Sequence, residues 1–290
     1  MHNVALIILN YCSFNDCVTC VDQLLLFESG SHIIIVDNQS PDSSYERLKE
    51  KYNAASVDVL QTTENRGYSA GNNFGIQFAV EKYHVDTVGV LNPDVFIPDA
   101  DLIPELLTKL YSDDSYAIIG ACVINASGVY DPNASAWNIP SRRELWRGHC
   151  LVKRKKVSPK WSIVAPKLAQ VECVAGCFFL AKVAHLSKIG YLDENTFLYN
   201  EENILGIKCK QEGFKEVLAL DQFYYHNHRK KKELKVSFRK KVQATKNSYL
   251  SRRYMCKTYY QSRGLFKLWL AERINRIYLA GAYFKNKLFH

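Results

Sequence analysis

The stretch DTVGVLNPDVFI, residues 86–97, runs from a short continuous apolar segment into the polar group Asn92-Pro93-Asp94 and back into apolar residues. An apolar run without polar alternation is what a strand buried on both faces of a parallel sheet requires. VALIIL (4–9), HIIIVD (32–37) and AIIGACVI (117–124) repeat the pattern, with helically spaced segments between them. The chain therefore reads as α/β, with a mostly parallel, Rossmann-like central sheet. Ligands of such sheets bind in the crevice at the carboxyl ends of the strands. The polar residues after each run are thus the candidates for ligand contact: Asn10 and Tyr11, Asp37 and Asn38, and Asn92 to Asp94. Proline holds Asn92 extended and presents Asp94 beyond the buried run. Taken alone, an Asp in that place reads as a turn former or helix cap as readily as a ligand.

Composition bounds the rest. With 290 residues, 47% hydrophobic and 12% aromatic, the chain can bury one large core or two small ones, and nothing points to disorder. The opening MHNVALIILNYC has too short an apolar run for a spanning helix and no Lys or Arg before it, which argues against a signal peptide and for a cytoplasmic protein. Nine cysteines, an odd number scattered along the chain, suit reduced thiols better than a disulfide framework. CVTC at Cys17 to Cys20 lies in a helical pattern with no second pair at zinc spacing, so a core role outweighs metal or redox use. Charge is divided unevenly: from Arg229 to His290 there are 18 Lys or Arg against 2 Glu, a net of +16, which leaves 20 against 27, or −7, before it. A basic tail of this kind meets an anionic surface, either nucleic acid or lipid headgroups.

The segment ENRGYSAGNNFGIQFAV, residues 64–80, sets Gly67, Gly71 and Gly75 ahead of and within a helical pattern. It is neither a GxGxxG dinucleotide fingerprint nor a P-loop. Gly67 and Gly71 would let the backbone approach a nucleotide, and Asn72 and Asn73 would add donors and acceptors near a helix N-terminus that favours anions. The alternative is that the glycines let the helix pack tightly on the sheet.

In this order and at these separations, IIIVDNQSPDSS, ENRGYSAGNNFGI, LNPDVFI, VAGCFFLAK and LDENTFLYNEENILGIKCKQEGF resemble family 2 glycosyltransferases. The likeness is to the rhamnosyltransferase-like branch that builds bacterial surface polysaccharides such as capsule or O-antigen. The resemblance implies a GT-A fold over residues 1–228, with a donor part to about residue 100 and an acceptor part over 101–228. It also implies an inverting, hexosyltransferase-type transfer from a nucleotide-sugar donor to a glycan or lipid-linked glycan, with Mn²⁺ or Mg²⁺ as cofactor. By the same resemblance Asp37 would bind the nucleobase, Asn65, Arg66 and Gly67 would line the nucleotide pocket, and Asp94 would be the last carboxylate of a DxD-type metal motif. Asn92 stands where the family often has Asp, which removes one anionic ligand. Glu202 aligns with the family's general base, with Glu201 as second choice, and Gly176, Cys177 and Tyr199 fall on the acceptor side.

The chemistry agrees with those assignments. A hard cation would offset charge on the leaving diphosphate, and a carboxylate would take the acceptor hydroxyl's proton. Two adjacent acids at a helix start would otherwise be explained by the helix dipole alone. YYHNH puts His226 and His228 on one side of an extended chain, where either would complete a metal shell, contact diphosphate or simply face solvent. RRELWRGHCLVKRKK, residues 142–156, reads as a basic loop over the donor.

Residues 229–290 read as a basic helical tail. Phe266, Trp269, Leu270, Ile274, Ile277, Gly281, Phe284 and Leu288 form one apolar stripe flanked by Lys267, Arg273, Arg276, Lys285 and Lys287. This is the pattern of a helix lying in an anionic membrane surface, at the inner face of the cell membrane. The same stripe would equally pack on the core or on a second copy of the chain. Three other readings compete: a sugar-nucleotide pyrophosphorylase, an inactive sugar-binding relative, and a nucleic-acid-binding protein using the tail. The first lacks its amino-terminal Gly-rich and Lys signature here, and the stripe is not an exposed stacking surface, so no nucleic-acid partner is expected.

Overall fold

A computed structural model describes residues 2–27, 30–54, 56–125, 127–147, 161–226 and 238–288. The first part of the chain alternates strand and helix: β1 (Val4–Asn10), α1 (Phe14–Leu26), β2 (His32–Asp37), α2 (Ser44–Lys51), β3 (Val57–Gln61), α3 (Tyr68–Tyr83) and β4 (Thr87–Leu91). All seven residues of β1 are buried, as an apolar run covered on both faces demands. β3, β2, β1 and β4 lie side by side in that order and all pair parallel. Asn10 and Asp37 are register partners, so the polar residues that end β1 and β2 come out together at one edge.

The α1 helix turns Cys17, Cys20, Val21 and Leu24 inward. Both thiols of CVTC are thereby core groups, pushed above their ordinary pKa chiefly by burial, and all eight cysteines of the described residues are free. On the opposite face of the sheet α3 packs by means of Gly75, where an added Cβ would stand 2.6 Å from Ile7 Cγ2 and 2.7 Å from Val36 Cγ2.

Beyond β4 come β5 (Val95–Phe96), α4 (Leu102–Leu110), β6 (Tyr116–Asn125), α5 (Pro132–Ser135), β7 (Ala136–Trp137), α6 (Arg142–Arg147), β8 (Ser162–Ala165), β9 (Leu168–Val171) and β10 (Cys173–Val174). They are followed by β11 (Phe178–Lys182), α7 (Val183–Lys188), α8 (Glu201–Gln211) and β12 (Lys215–His226). The sheet continues from β4 through β11, β6, β12, β9 and β8, with β5 pairing β12 and a separate β7–β10 pair. Here the architecture is mixed: β11 enters antiparallel between β4 and β6, while β6 and β12 are parallel. The apolar run of β6 is thus a buried strand as expected, but its neighbour toward β4 is the later strand β11. β12 also extends past KEVLAL through Tyr224 and Tyr225 to His226, with a register shift between Ala219 and Phe223.

Two long helices form the tail, α9 (Phe238–Tyr259) and α10 (Leu265–Leu288). α9 is fastened to the rest of the chain: Met255 packs with Leu145 and Ile204, and Tyr254 and Tyr259 both donate to Asp193 Oδ2, at 2.7 and 2.8 Å. α10 packs on α9 through Leu268 and Ala271 against Tyr249, and its buried Glu272 pairs with Arg253 and, at 2.6 Å, with Arg276. At about 100° per residue, Phe266, Leu270 and Ile277 fall on the face away from Leu268 and Ala271, with Ile274 at its margin. All four are exposed, as is Trp269 on the flank. No described helix is long and apolar enough to cross a membrane.

Candidate active site

The crevice opens where β1, β2 and β4 end. Asp37 is fully buried, and both carboxylate oxygens serve the loop: Oδ2 accepts from Asn10 Nδ2 at 2.7 Å and Oδ1 from the Ser40 amide at 2.8 Å. Asn38 donates to Asn65 Oδ1 and to the Gly67 carbonyl, both at 3.1 Å, and accepts from Thr62 Oγ1. Asn10, Asp37, Asn38 and Asn65 therefore form a connected polar floor that ties the β2 end to the start of α3. Tyr11 is half exposed at its mouth, and Arg66, also exposed, reaches Glu194 at 3.3 Å.

The glycine segment departs from its expected role. Gly67 has φ +107 and ψ −175, a conformation open essentially to glycine alone, and what it admits is protein backbone: a Cβ there would lie 2.3 Å from the Phe197 carbonyl oxygen. Two of the amides near the helix start are used within the chain, Gly67 N–H by Asn65 Oδ1 at 3.0 Å and Tyr68 N–H by the Phe197 carbonyl at 3.0 Å. Gly71 faces Leu9 and Asn38, so, like Gly75, it serves packing on the sheet. Asn72 is fully buried and donates to the Tyr68 carbonyl, while Asn73 donates to the Leu192 carbonyl and to Glu194 Oε1. Gly71, Asn72 and Asn73 thus make fold contacts, and their segment places the 192–199 loop.

Asp94 and His226 meet. His226 Nε2 lies 3.2 Å from Asp94 Oδ1, brought there because β12 pairs with β5 and sets His226 opposite Val95. Burial opposes a charge on the imidazole, but its bonds to Asp94 and to Cys177 prevail and its pKa is pushed up to about 10. Asn92 donates its amide to the Cys177 carbonyl at 2.8 Å, linking this corner to the turn before β11. Among the described residues no three His, Cys, Asp or Glu side chains make a ready-built metal site. One carboxylate and one imidazole nonetheless fit a hard cation that displaces the imidazole's proton on binding and draws its remaining ligands from phosphate and water. His228 lies outside the described residues, as does most of the 142–156 segment.

The other half of the site stands on α8. Tyr199 and Asn200 both hold positive φ, 77° and 68°, and this backward step points Glu201 and Glu202 into the protein. Glu202 sits against Gly176: a Cβ there would stand 2.7 Å from Glu202 Oε1, and the Gly176 N–H donates to the carboxylate. Tyr68, partly buried beside Glu202, donates its hydroxyl to the Gly176 carbonyl. Burial, and then the charge of Glu202, push Glu201 up to about 8; burial also raises Glu202. Two adjacent buried carboxyls cannot both ionise cheaply. Backbone amides bond to both carboxyls, and Glu201 Oε1 has no hydrogen-bond partner among the described residues, so the pair shares one negative charge that the Gly176 amide draws toward Glu202.

Gly176-Cys177 is thus the hinge of the arrangement, with Glu202 on Gly176 and Asn92 on Cys177. Tyr199 is 40% exposed at the opening. Sequence reasoning missed Glu216, which is buried on β12, accepts from the Val174 amide at 2.8 Å and is pushed up to about 8 by burial. A Glu inside the apolar strand KEVLAL was its signal. Tyr68 and Glu194 were missed as well; nothing local marks either.

Three known proteins frame this geometry. The profile described as Glycosyl transferase family 2 matches residues 6–166. Agl10 of Haloferax volcanii, a low-salt glycan biosynthesis hexosyltransferase, is 28% identical over 213 residues, 73% of this chain and 63% of its own length. The rhamnosyltransferase WbbL of Escherichia coli K12 is 24% identical over 64% of this chain and 71% of its own. The crystal structure of GalNAc-T7 with UDP, GalNAc and Mn²⁺ superposes with a TM-score of 0.60 at 15% identity, over 78% of this chain and 44% of that one. The fold is accordingly GT-A-like. The chain spans less than two thirds of Agl10 and of GalNAc-T7.

Proposed function

The chain belongs to glycosyl transferase family 2, and on that premise we propose that it moves a hexose-type sugar from a nucleotide-sugar donor to a hydroxyl of a glycan or lipid-linked glycan, with inversion. The observation that carries this is the convergence of the Asp94–His226 pair and the Glu202 carboxylate on the two sides of the Gly176-Cys177 turn. One side suits a leaving diphosphate and the other an incoming hydroxyl. Two carboxyls at a distance from the metal-side pair also separate the two jobs that an in-line displacement needs.

Asp94 and His226 would hold a divalent cation, Mn²⁺ or Mg²⁺. Such an ion offsets the negative charge that builds on the diphosphate as it departs. The Mn²⁺ in the GalNAc-T7 crystal supports that cofactor. Glu202, the anion of its pair, accepts the acceptor hydroxyl's proton as the oxygen attacks the anomeric carbon on the face away from the nucleotide. Protonated Glu201 beside it keeps the second charge out of the pocket. Tyr68 and Gly176 hold the carboxylate still. Arg66, exposed beside Asn65, is available to donor phosphate; Asp37, Asn38 and Asn10 set the base-side floor.

The outward apolar face of α10, with Lys267 and Arg273 among its residues, rests on an anionic membrane surface, where each basic residue contributes about 1 kcal/mol. That would hold the enzyme beside a lipid-linked acceptor used in surface polysaccharide synthesis, with residues 229–290 as the contacting unit and 1–228 as the transferase unit. The rhamnosyltransferase and hexosyltransferase relatives support this class of product. The test is incubation with a panel of nucleotide sugars and Mn²⁺, reading slow donor hydrolysis. Hydrolysis of one donor, abolished by EDTA and by Asp94→Asn with the fold intact, is expected. Hydrolysis of none, with no cation-dependent nucleotide binding, overturns the reading.

A further inference from the structure

The two residues that bracket the carboxylate pair are both held by one directional chain of hydrogen bonds. Trp137 Nε1–H donates to Asn203 Oδ1 at 2.9 Å; Asn203 Nδ2–H donates to Asn200 Oδ1 at 3.0 Å. Asn200 Nδ2–H then donates to Ser251 Oγ at 2.7 Å, and the Ser251 hydroxyl donates to the Ser248 carbonyl at 3.0 Å. Each of the two amides gives with its nitrogen and receives with its oxygen, so neither can turn over without breaking two bonds. Its ends lie far from the carboxylates in sequence, on β7 and on α9.

The placement gives the chain its purpose. Asn200 precedes Glu201 directly and caps α8 in a left-handed conformation with its carbonyl bonded to the Ile204 amide. Asn203 follows Glu202 directly. A left-handed asparagine after a left-handed tyrosine is a costly pair of backbone states that persists only where surrounding contacts fix it. Ser251, 1% exposed, is the fixing contact from the tail side. Asp193, at the other end of the same loop, is held by Tyr254 and Tyr259 of the same helix.

We propose that Ser251 is a positioning residue: through Asn200 it sets the first turn of α8 and hence the aim of the Glu201–Glu202 pair, so that α9 is a working part of the site. The inference rests on the reading of Glu202 as the base, but one arm of its test does not. In Ser251→Ala the partly buried Asn200 donor loses its acceptor. Hydrogen exchange at the Ile204 amide should speed about fivefold or more as the first turn loosens, and kcat for donor turnover should fall about tenfold with the donor KM and nucleotide affinity within about twofold. Asn203→Ala, which cuts the chain on the other side, should reproduce the split. Leu268→Ala, on the α9–α10 contact, serves as the variant that loses stability without touching the chain, and it should leave kcat near wild type. Unchanged exchange at Ile204 in Ser251→Ala overturns the proposal whatever the activity. Faster exchange with unchanged kcat overturns the positioning role, as does an equal kcat loss in Leu268→Ala. If the wild-type protein turns over no donor, the glycosyltransfer reading fails, and the exchange result still judges whether Ser251 holds the turn.

Discussion

Glu216→Gln should flatten the pH dependence of stability. The Glu216 side chain is buried within β12, with one oxygen on the Val174 amide and Oε1 without a hydrogen-bond partner among the described residues. Burial raises its pKa from 4.5 to about 8. Between those values the folded chain holds a proton that the unfolded chain has released, so stability must fall as pH rises. The contribution is fully present below about pH 4.5 and is lost as pH climbs through about 8. The slope in that window is about 1.4 kcal/mol per pH unit, or roughly 3 kcal/mol between pH 5 and pH 8 once both ends are rounded off. Glu201, also raised to about 8, adds a parallel share. Glutamine keeps an oxygen for the Val174 amide and cannot ionise. Urea titrations at pH 5, 6, 7 and 8 should therefore give a line for Glu216→Gln that is shallower than wild type by about 1 kcal/mol per unit, with the two proteins nearest at pH 5. Equal slopes would refute the argument that a neutral acid is buried here.

Three further outcomes are expected. Glu202→Gln should lower turnover by about 10² to 10⁴ while retaining nucleotide affinity, because an amide can bond a hydroxyl but cannot take its proton; if Glu201→Gln is the dead variant and Glu202→Gln works, the two roles exchange. Gly67→Ala should cost about 2–5 kcal/mol from the forbidden backbone state together with the clash on Phe197, read as a lower urea midpoint, and a midpoint equal to wild type would show that the 192–199 loop yields freely. Replacing Phe266, Leu270, Ile274 and Ile277 together by Ser should leave the circular dichroism spectrum intact and keep the protein in the supernatant with anionic vesicles that sediment the wild type; equal sedimentation would remove α10 as the contact.

The parallel half of the sheet was legible because β1, β2 and β4 are buried on both faces, and continuous apolar runs are how such strands are written. β3 was not, since every residue of VDVLQ is only partly buried at the sheet edge. The crevice could be found from the polar residues ending those runs, and Asp94 lies beside His226 there. What the glycines face could not be found, because Gly67 is matched to Phe197, a partner set by tertiary packing with no periodic trace. Asp37 shows a related limit: nothing in the sequence reveals that its carboxylate accepts from an asparagine side chain and a serine amide. The tail looked separable on charge alone, yet Ser251, Tyr254 and Tyr259 are uncharged and lie in the most basic part of the chain, where net charge hides them.

The bond from Asn200 to Ser251 also imposes an order in time. A chain made from its amino end releases the strands that carry Asp37 and Asp94 early, and Glu202 long before Ser251, Tyr254 and Tyr259. At about 5–20 residues per second, the stretch between the carboxylates and their α9 anchors takes on the order of seconds to appear. During that interval the sheet can assemble around its parallel half while the Tyr199–Asn200 step has nothing on α9 to lean on. The donor floor is an early product of synthesis and the aimed carboxylate a late one.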